Sequence, residues 1–377
     1  MSSNEPLGLG LLGCGAFGRF CLETFATMDQ VRIAAVADIR PDAARALGEA
    51  FDVVAAESDK ALLARDDVDI VHIAAPPAAH RGLAIAALTA GKHVLCEKPL
   101  AVTIADADAI LAAADRAGRL CPVNFVLRHN PVTEAVARVL DAGPLGAPLA
   151  GRLTNCAFDT YMPPGHWFWD EAVSGGIFVE HGVHFFDMYA TWLGAGEVIG
   201  AHTLARDGGL VDRVACTVRH APPDAPPVLV SHYHGFDQIE PMDRAEHRIV
   251  CEMGDVRVAG WVPLRLTVDA AVDDAGAERL RACCPWTAEE AVDRYDRQAV
   301  HRGRGMPRHV TQRLRLTYEP NADKAAVYAQ SLRALLADQV ACIRDASHQR
   351  RITERNGRDA LATAVAARRR AHEKAPG

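Results

Sequence analysis

Leu7-Gly8-Leu9-Gly10-Leu11-Leu12, running straight into Gly13-Cys14-Gly15-Ala16-Phe17-Gly18, is the stretch on which the fold turns. The apolar run reads as a buried strand, and the G-x-G-x-x-G after it opens a helix. In such a turn the first glycine permits the tight bend, the second lets backbone amides approach a pyrophosphate, and the third allows helix and strand to pack closely. The helix N-terminus adds partial positive charge for the anion. Gly13, Gly15, Ala16, Phe17 and Gly18 are therefore candidate dinucleotide contacts.

Asp38 closes the next apolar run, Val31 to Ala37, twenty residues after Gly18. A carboxylate there accepts hydrogen bonds from an adenosine ribose and repels a 2′-phosphate, so NAD is expected in preference to NADP. Arg40 works against that preference, because a guanidinium attracts phosphate. Ile39 lies between them and is counted with the cofactor contacts. A helix N-cap before Pro41 is the other role open to Asp38.

Further strands are expected at Val68 to Ala74, His93 to Cys96 and Pro122 to Val126, with helices at Pro41 to Phe51 and Ala78 to Ala90 between strands. This alternation predicts a doubly wound parallel sheet of the Rossmann type. Beyond Arg128 the runs Leu149 to Ala157, Val214 to Arg219, Val228 to His234, His247 to Met253, Val256 to Trp261 and Leu264 to Val268 read as strands, several of them joined by tight turns. They predict an open, mainly antiparallel sheet. Helices are expected over Gly175 to Leu193, Lys324 to Asp345 and Asn356 to Ala371. Asp273 to Pro320 is charged and Arg-rich, and reads as an irregular insertion with one strand near Val310 to Tyr318. The fold class is thus α/β, with a Rossmann domain over residues 1–125 and a substrate-binding and oligomerisation α/β domain over 126–377.

A chain of 377 residues with 49% hydrophobic and 24% charged side chains can bury a substantial core. Its formal charge of −7 argues against nucleic acid or an anionic membrane as partner. Met1 to Pro6 is short and polar, and Leu7 to Leu12 is too short for a signal or membrane segment, so a cytoplasmic protein is expected. Ten cysteines without a CxxC suggest reduced thiols rather than a disulfide framework or zinc site.

The next run is Ala74-Ala75-Pro76-Pro77-Ala78-Ala79-His80, then Gly91-Lys92-His93-Val94-Leu95-Cys96-Glu97-Lys98-Pro99-Leu100. Together with the glycine turn it resembles the glucose-fructose oxidoreductase, inositol dehydrogenase and rhizopine-catabolism family (Gfo/Idh/MocA), and the resemblance covers nearly the whole chain. The Glu97-Lys98-Pro99 run matches the family's signature after the fifth strand. The resemblance implies that Lys98 lies beside the nicotinamide and the reacting oxygen, and that Pro99 follows a cis bond. It adds Ala75, Pro76, His80, Glu97, Lys98 and Pro99 to the expected cofactor contacts. Lys60, Lys92, Lys98, Lys324 and Lys374 stand against 36 arginines. Where arginine serves for surface charge, a lysine is a candidate for proton exchange, which arginine cannot perform.

In the second half, Gly175-Gly176-Ile177-Phe178-Val179-Glu180-His181-Gly182-Val183-His184-Phe185-Phe186-Asp187 reads as one helix. Gly176, Glu180, His184 and Asp187 then share a face, and His181 points elsewhere. The stretch is similar to the family's substrate-domain helix, in which a Gly-Gly pair precedes an acid and a histidine four residues on acts in proton transfer. His184 matches that histidine. Glu180 stands where aspartate is usual. The resemblance also places Asn124 and Arg128 near the substrate, and Trp167 lies in an aromatic loop, Tyr161 to Asp170, suited to lining a sugar site. A metal held by Glu180, His184, His232 and His234 lacks a persuasive third ligand, and none is expected.

These readings converge on an NAD(P)-dependent oxidoreductase that moves hydride between nicotinamide and a secondary alcohol or ketone of a sugar, cyclitol or related polyol. NAD is the expected cofactor, and the site is expected in a cleft between the two domains. Lys98, His184 and Glu180 are the expected catalytic groups, with a homodimer or homotetramer as the assembly. A glycosidase of the same family with no net redox change, and a dinucleotide-sensing regulatory protein, are the alternatives.

Overall fold

The computed structural model describes residues 5–222, 225–297 and 300–373. Most of the polar N-terminal segment, and Lys374, lie outside them. The chain forms two compact units that interleave in sequence: Met1–Val126 with Gly165–Asp187 and Ala329–Val365, and Leu127–Pro164 with Met188–Tyr328 and Ala366–Gly377.

In the first unit the order is β1 (Leu7–Leu12), α1 (Ala16–Phe25), β2 (Val31–Ala37), α2 (Pro41–Phe51), β3 (Val54–Ala55), α3 (Asp59–Leu63), β4 (Ile70–Ile73), α4 (Pro77–Thr89), β5 (His93–Cys96) and α5 (Ile104–Ala117). The sheet is parallel throughout, in the order β3-β2-β1-β4-β5. Leu9, Leu11, Val36, Val71, Ile73 and Leu95 fill its centre. β1, β2, β5 and α2 fall on their predicted bounds. The strand expected over Pro122 to Val126 is replaced by a single bridge from Cys96 to Val123 and a tight 3₁₀ turn at Val126–His129. Proline at 122 has no amide to donate to a ladder, which limits pairing there.

The second unit contains α6 (Pro131–Asp141) and β6 (Pro148–Phe158). The short α7 (Glu171–Ser174) belongs to the first unit, and α8 (Val183–Leu193) runs from the first into the second. Next come β7 (Gly196–Ala205), β8 (Val211–His220), β9 (Val228–Gln238), β10 (Arg244–Cys251), β11 (Gly254–Ala259), β12 (Arg265–Val272), α9 (Asp274–Cys283), β13 (Ala288–Arg294), β14 (Val300–Gly303), β15 (Met306–His309) and β16 (Gln312–Tyr318). The last two elements are α10 (Lys324–Arg344) and α11 (Glu354–His372). Nine strands make an open sheet, β13-β16-β12-β11-β10-β6-β9-β8-β7, in which only the β6–β9 pair is parallel among the described residues. The stretch expected to be an irregular insertion is thus a helix, two sheet strands and a β14–β15 hairpin. Its alternation is faint because Ala288–Arg294 is an almost wholly exposed edge.

His232, His234 and His247 are buried in this unit, and the Tyr189 ring packs against His232 and His247. Burial pushes His234 and His247 down to about 3, and holds His232 well below the ordinary 6.5. Above pH 6.5 both folded and unfolded forms are neutral at these sites. As the pH falls below 6.5 the unfolded chain takes up protons that the folded one refuses, so stability is lost toward pH 3. Calorimetry should therefore give a flat melting temperature above about pH 7 and a decline already between about pH 6.5 and 5, before most carboxylates titrate. Replacing His234 and His247 by Phe should flatten that decline; an equally steep one would assign it to other groups.

Candidate active site in the first unit

The glycine turn begins where β1 ends. Gly13 has φ +106°, and a Cβ on it would stand 2.3 Å from the Ala74 carbonyl oxygen. A Cβ on Gly18 would stand 2.1 Å from the Gly13 oxygen, so both positions exclude a side chain by contact. Gly15 differs. Nothing lies within 4 Å of its would-be Cβ, and it caps α1 with no side-chain hydrogen bond at the helix N-terminus. Open space facing uncapped amides is what a pyrophosphate requires, and it lies beside β1 and β4, where the strand order reverses.

Asp38 follows β2. Its Oδ2 accepts from the Cys14 amide at 2.7 Å, and its Oδ1 from the Arg40 amide at 2.8 Å and the Arg40 guanidinium at 3.2 Å. Burial alone would raise this carboxyl, but those donors outweigh it and hold the group below its usual range. Asp38 does not cap α2; the N-cap is Arg40, without a side-chain bond. Ile39 is fully exposed beside it. The residues present thus fit a dinucleotide: an open amide cradle, and an ionised carboxylate one strand away.

At the end of β5 stands Lys98, whose peptide bond to Pro99 is cis. Its Nζ donates to the Glu180 backbone oxygen at 2.8 Å and to the Glu180 carboxylate. The two side chains are 18% and 12% exposed, so the pair is mostly shielded from water. Glu180 lies in a π-helical turn, Phe178–Gly182, that leads into α8. Gly175 and Gly176 have φ of +82° and +78°, so regular helix begins after them rather than at Gly175. The wide turn also replaces the straight helix expected through Gly176, Glu180, His184 and Asp187. It also sets the Glu180 carbonyl toward Lys98.

His184 is buried, with its ring edge-on to Phe125 at 6.3 Å between centroids. Burial first, and the Lys98 ammonium second, push its pKa well below 6.5. The imidazole is therefore neutral in the free protein. His181 is also buried and packs on Phe185.

Three residues expected to face a ligand are instead engaged by protein. His80 is buried between two carbonyl oxygens, Ala75 and Pro99. Glu97 accepts from Asn124 Nδ2 at 2.7 Å and from His72 Nε2 at 2.9 Å. His72 was missed by sequence reasoning, although a histidine inside Ile70-Val71-His72-Ile73 is a signal: a polar group in a buried strand needs a partner. Cys21, His72 and Glu97 bring three possible metal donors within 4.8 Å of one another. Burial pushes the Cys21 thiol up, which keeps it protonated, and Glu97 is already held by two donors, so hydrogen bonding accounts for the cluster. Ala75 and Pro76 lie in the loop after β4 and lead into α4. Ala16 and Phe17 open α1 and are exposed. Trp167 is 37% exposed in a run of contacting rings, His166 to Trp169. Arg128 belongs to the second unit.

Residues 7–125 match the family model described as "Oxidoreductase family, NAD-binding Rossmann fold", and 133–235 match the "GFO/IDH/MocA C-terminal domain". D-apiose dehydrogenase of Paraburkholderia graminis is 32% identical over 225 residues, 55% of this chain and 59% of that protein. Myo-inositol 2-dehydrogenase of Thermotoga maritima is 32% identical over 181 residues, 48% of this chain and 53% of that protein. The match thus spans little more than half the length of these curated relatives. Among solved structures, the WlbA dehydrogenase of Bordetella pertussis, in complex with NADH and UDP-GlcNAcA, superposes with a TM-score of 0.77 at 21% identity, covering 99% of this chain and 97% of that one. Levoglucosan dehydrogenase, in complex with NADH and levoglucosan, gives 0.77 at 19%, covering 98% of each. At such identities the likeness is one of fold. No helix among the described residues is long and apolar enough to cross a membrane.

Proposed function

The chain belongs to the Gfo/Idh/MocA oxidoreductase family, and on that premise we propose that it is an NAD-dependent dehydrogenase or reductase acting on a secondary alcohol or ketone of a sugar, cyclitol or related polyol. The observation that carries this is the seating of Lys98 Nζ on the carboxylate and carbonyl of Glu180, with His184 close enough to feel its charge. Residues 1–125 hold the dinucleotide, and residues 126–377 supply substrate-facing and subunit-facing surfaces.

When bound, the nicotinamide supplies the hydride acceptor or donor for the reacting carbon. Lys98 Nζ, steadied by Glu180, holds the substrate oxygen and stabilises charge that develops on it. His184 takes the hydroxyl proton on an imidazole nitrogen in oxidation and returns it in reduction. Glu180 orients Lys98 and accepts a substrate hydroxyl. Trp167 offers an aromatic face to the apolar side of a sugar ring, and Arg128 a donor to its hydroxyls. Asn124 acts through Glu97.

A panel of sugars, cyclitols and ketosugars, followed by nicotinamide absorbance with NAD and NADP in parallel, tests the reading. NADH uptake without turnover of any member would favour the regulatory alternative; release of an aglycone without NADH accumulation would favour the glycosidase. We further infer a homodimer or homotetramer, assembled in the cytoplasm through the open sheet of the second unit. Light scattering tests the assembly.

Asp38→Ala should relax coenzyme choice, lowering the preference for NAD over NADP by about tenfold or more, ~1.4 kcal/mol. Its loss removes the repulsion of a 2′-phosphate and releases Arg40 toward it. Unchanged selectivity would take Asp38 out of that role.

A further inference from the structure

Lys98 is bracketed by two buried histidines that the chemistry above does not use. Before it, Glu97 Oε1 accepts from His72 Nε2 at 2.9 Å and from Asn124 Nδ2 at 2.7 Å. After it, the Pro99 oxygen lies 2.7 Å from His80 Nδ1, whose Nε2 lies 2.8 Å from the Ala75 oxygen. Both imidazoles are 0% exposed. His72 sits in β4 and His80 in the first turn of α4, so both grips come from the segment that passes under the glycine turn.

His80 reaches further than Pro99. Ala75 follows Ala74, whose carbonyl stands 2.3 Å from where a Cβ on Gly13 would be. The same ring therefore ties the wall of the glycine turn to the loop that carries the lysine. A neutral imidazole has a single N–H and can donate to only one of these carbonyls at a time. With both contacts under 3 Å, a shift of one loop is felt by the other. Removing the ring leaves whichever carbonyl it serves buried without its donor.

We propose that His72 and His80 are positioning residues that fix the Lys98 backbone from both sides, so that Nζ meets Glu180, and that His80 couples this placement to the glycine turn. Its meaning for catalysis rests on the reading of Lys98 as the amine at the reacting oxygen; its geometry does not. The charged and titratable groups around the two grips are Cys21, Glu97, Lys98, Glu180 and His184.

The scarcity of lysine supplies the test. Reductive methylation with ¹³C-formaldehyde labels five lysines and the N-terminus, and a Lys98→Arg protein assigns the Lys98 resonance. In His80→Phe and in His72→Phe that resonance should move while those of the other lysines stay in place. Gln at either position, which returns an amide donor, should bring it at least halfway back. NADH fluorescence titration should show Kd raised about tenfold in His80→Phe but unchanged in His72→Phe, because only His80 touches Ala75. A Lys98 resonance that stays put in both Phe variants overturns the proposal, and so does one that Gln leaves displaced. Should the Phe variants fail to fold, Met at either position, which also lacks a donor, is measured against wild type, and an unmoved resonance is again fatal. Wild-type protein that takes up no NADH defeats the oxidoreductase reading without touching the lysine result, so the two failures are distinguishable.

Discussion

Lys98→Met is expected to lower kcat by about 10²- to 10³-fold, the range for loss of a donor that stabilises charge on the reacting oxygen, while NADH still binds. Methionine keeps the length and apolar stem of lysine but has no donor for the Glu180 carbonyl or carboxylate. Two consequences need separating. The reacting oxygen loses its positive partner, and Glu180, only 12% exposed, is left as a shielded charge without its counter-ion. The second effect should lower stability by about 1–3 kcal/mol. Adding Glu180→Gln removes the stranded charge and should recover most of that stability but none of the turnover. Thermal melts and steady-state kinetics on the single and double variants check both halves. Undiminished kcat in the single variant would take Lys98 out of the mechanism; a double variant that recovers turnover with stability would reduce the lysine to a structural role.

The half of the site nearest the N-terminus was legible because its chemistry is written in local order. A strand, a glycine turn and an acid twenty residues on fix one another's positions through backbone geometry alone, and β1, β2 and α2 fall on their expected bounds. The second half was legible only as residue types. Glu180 and His184 belong together, but a period of 3.6 residues cannot anticipate a π turn, and it is that turn which sets the Glu180 carbonyl against Lys98. Supports were harder still. His80 and Asn124 look like ligand contacts because they are polar and next to a motif, and only packing shows that carbonyls and Glu97 have taken them. β7 and β13 were unread for a related reason. Each is an edge of the nine-stranded sheet, where polar side chains are tolerated on both faces and the period of two fades.

Gly15→Asp is expected to abolish NADH uptake at ordinary concentrations while leaving the melting temperature unchanged or slightly higher. Of the three motif glycines it alone has room: no heavy atom lies within 4 Å of its would-be Cβ, and its φ of −74° suits any residue. It also occupies the N-cap of α1, where no side chain now bonds the first amides, and aspartate is among the best residues at that position. The free protein therefore has no reason to object to the change. A carboxylate there takes the amides meant for a phosphate and faces that phosphate with like charge. Two unit charges ~4 Å apart at an effective dielectric of 20 repel by about 4 kcal/mol, close to three decades in Kd. Gly13→Ala and Gly18→Ala should behave oppositely, since their Cβ atoms would lie 2.3 and 2.1 Å from backbone oxygens and the cost falls on the fold before any ligand arrives. Fluorescence titration with NADH, set beside thermal melts of the three variants, separates the cases. If Gly15→Asp bound NADH as tightly as wild type, the turn would not be where the diphosphate sits, and the placement of the nicotinamide beside Lys98 would fall with it.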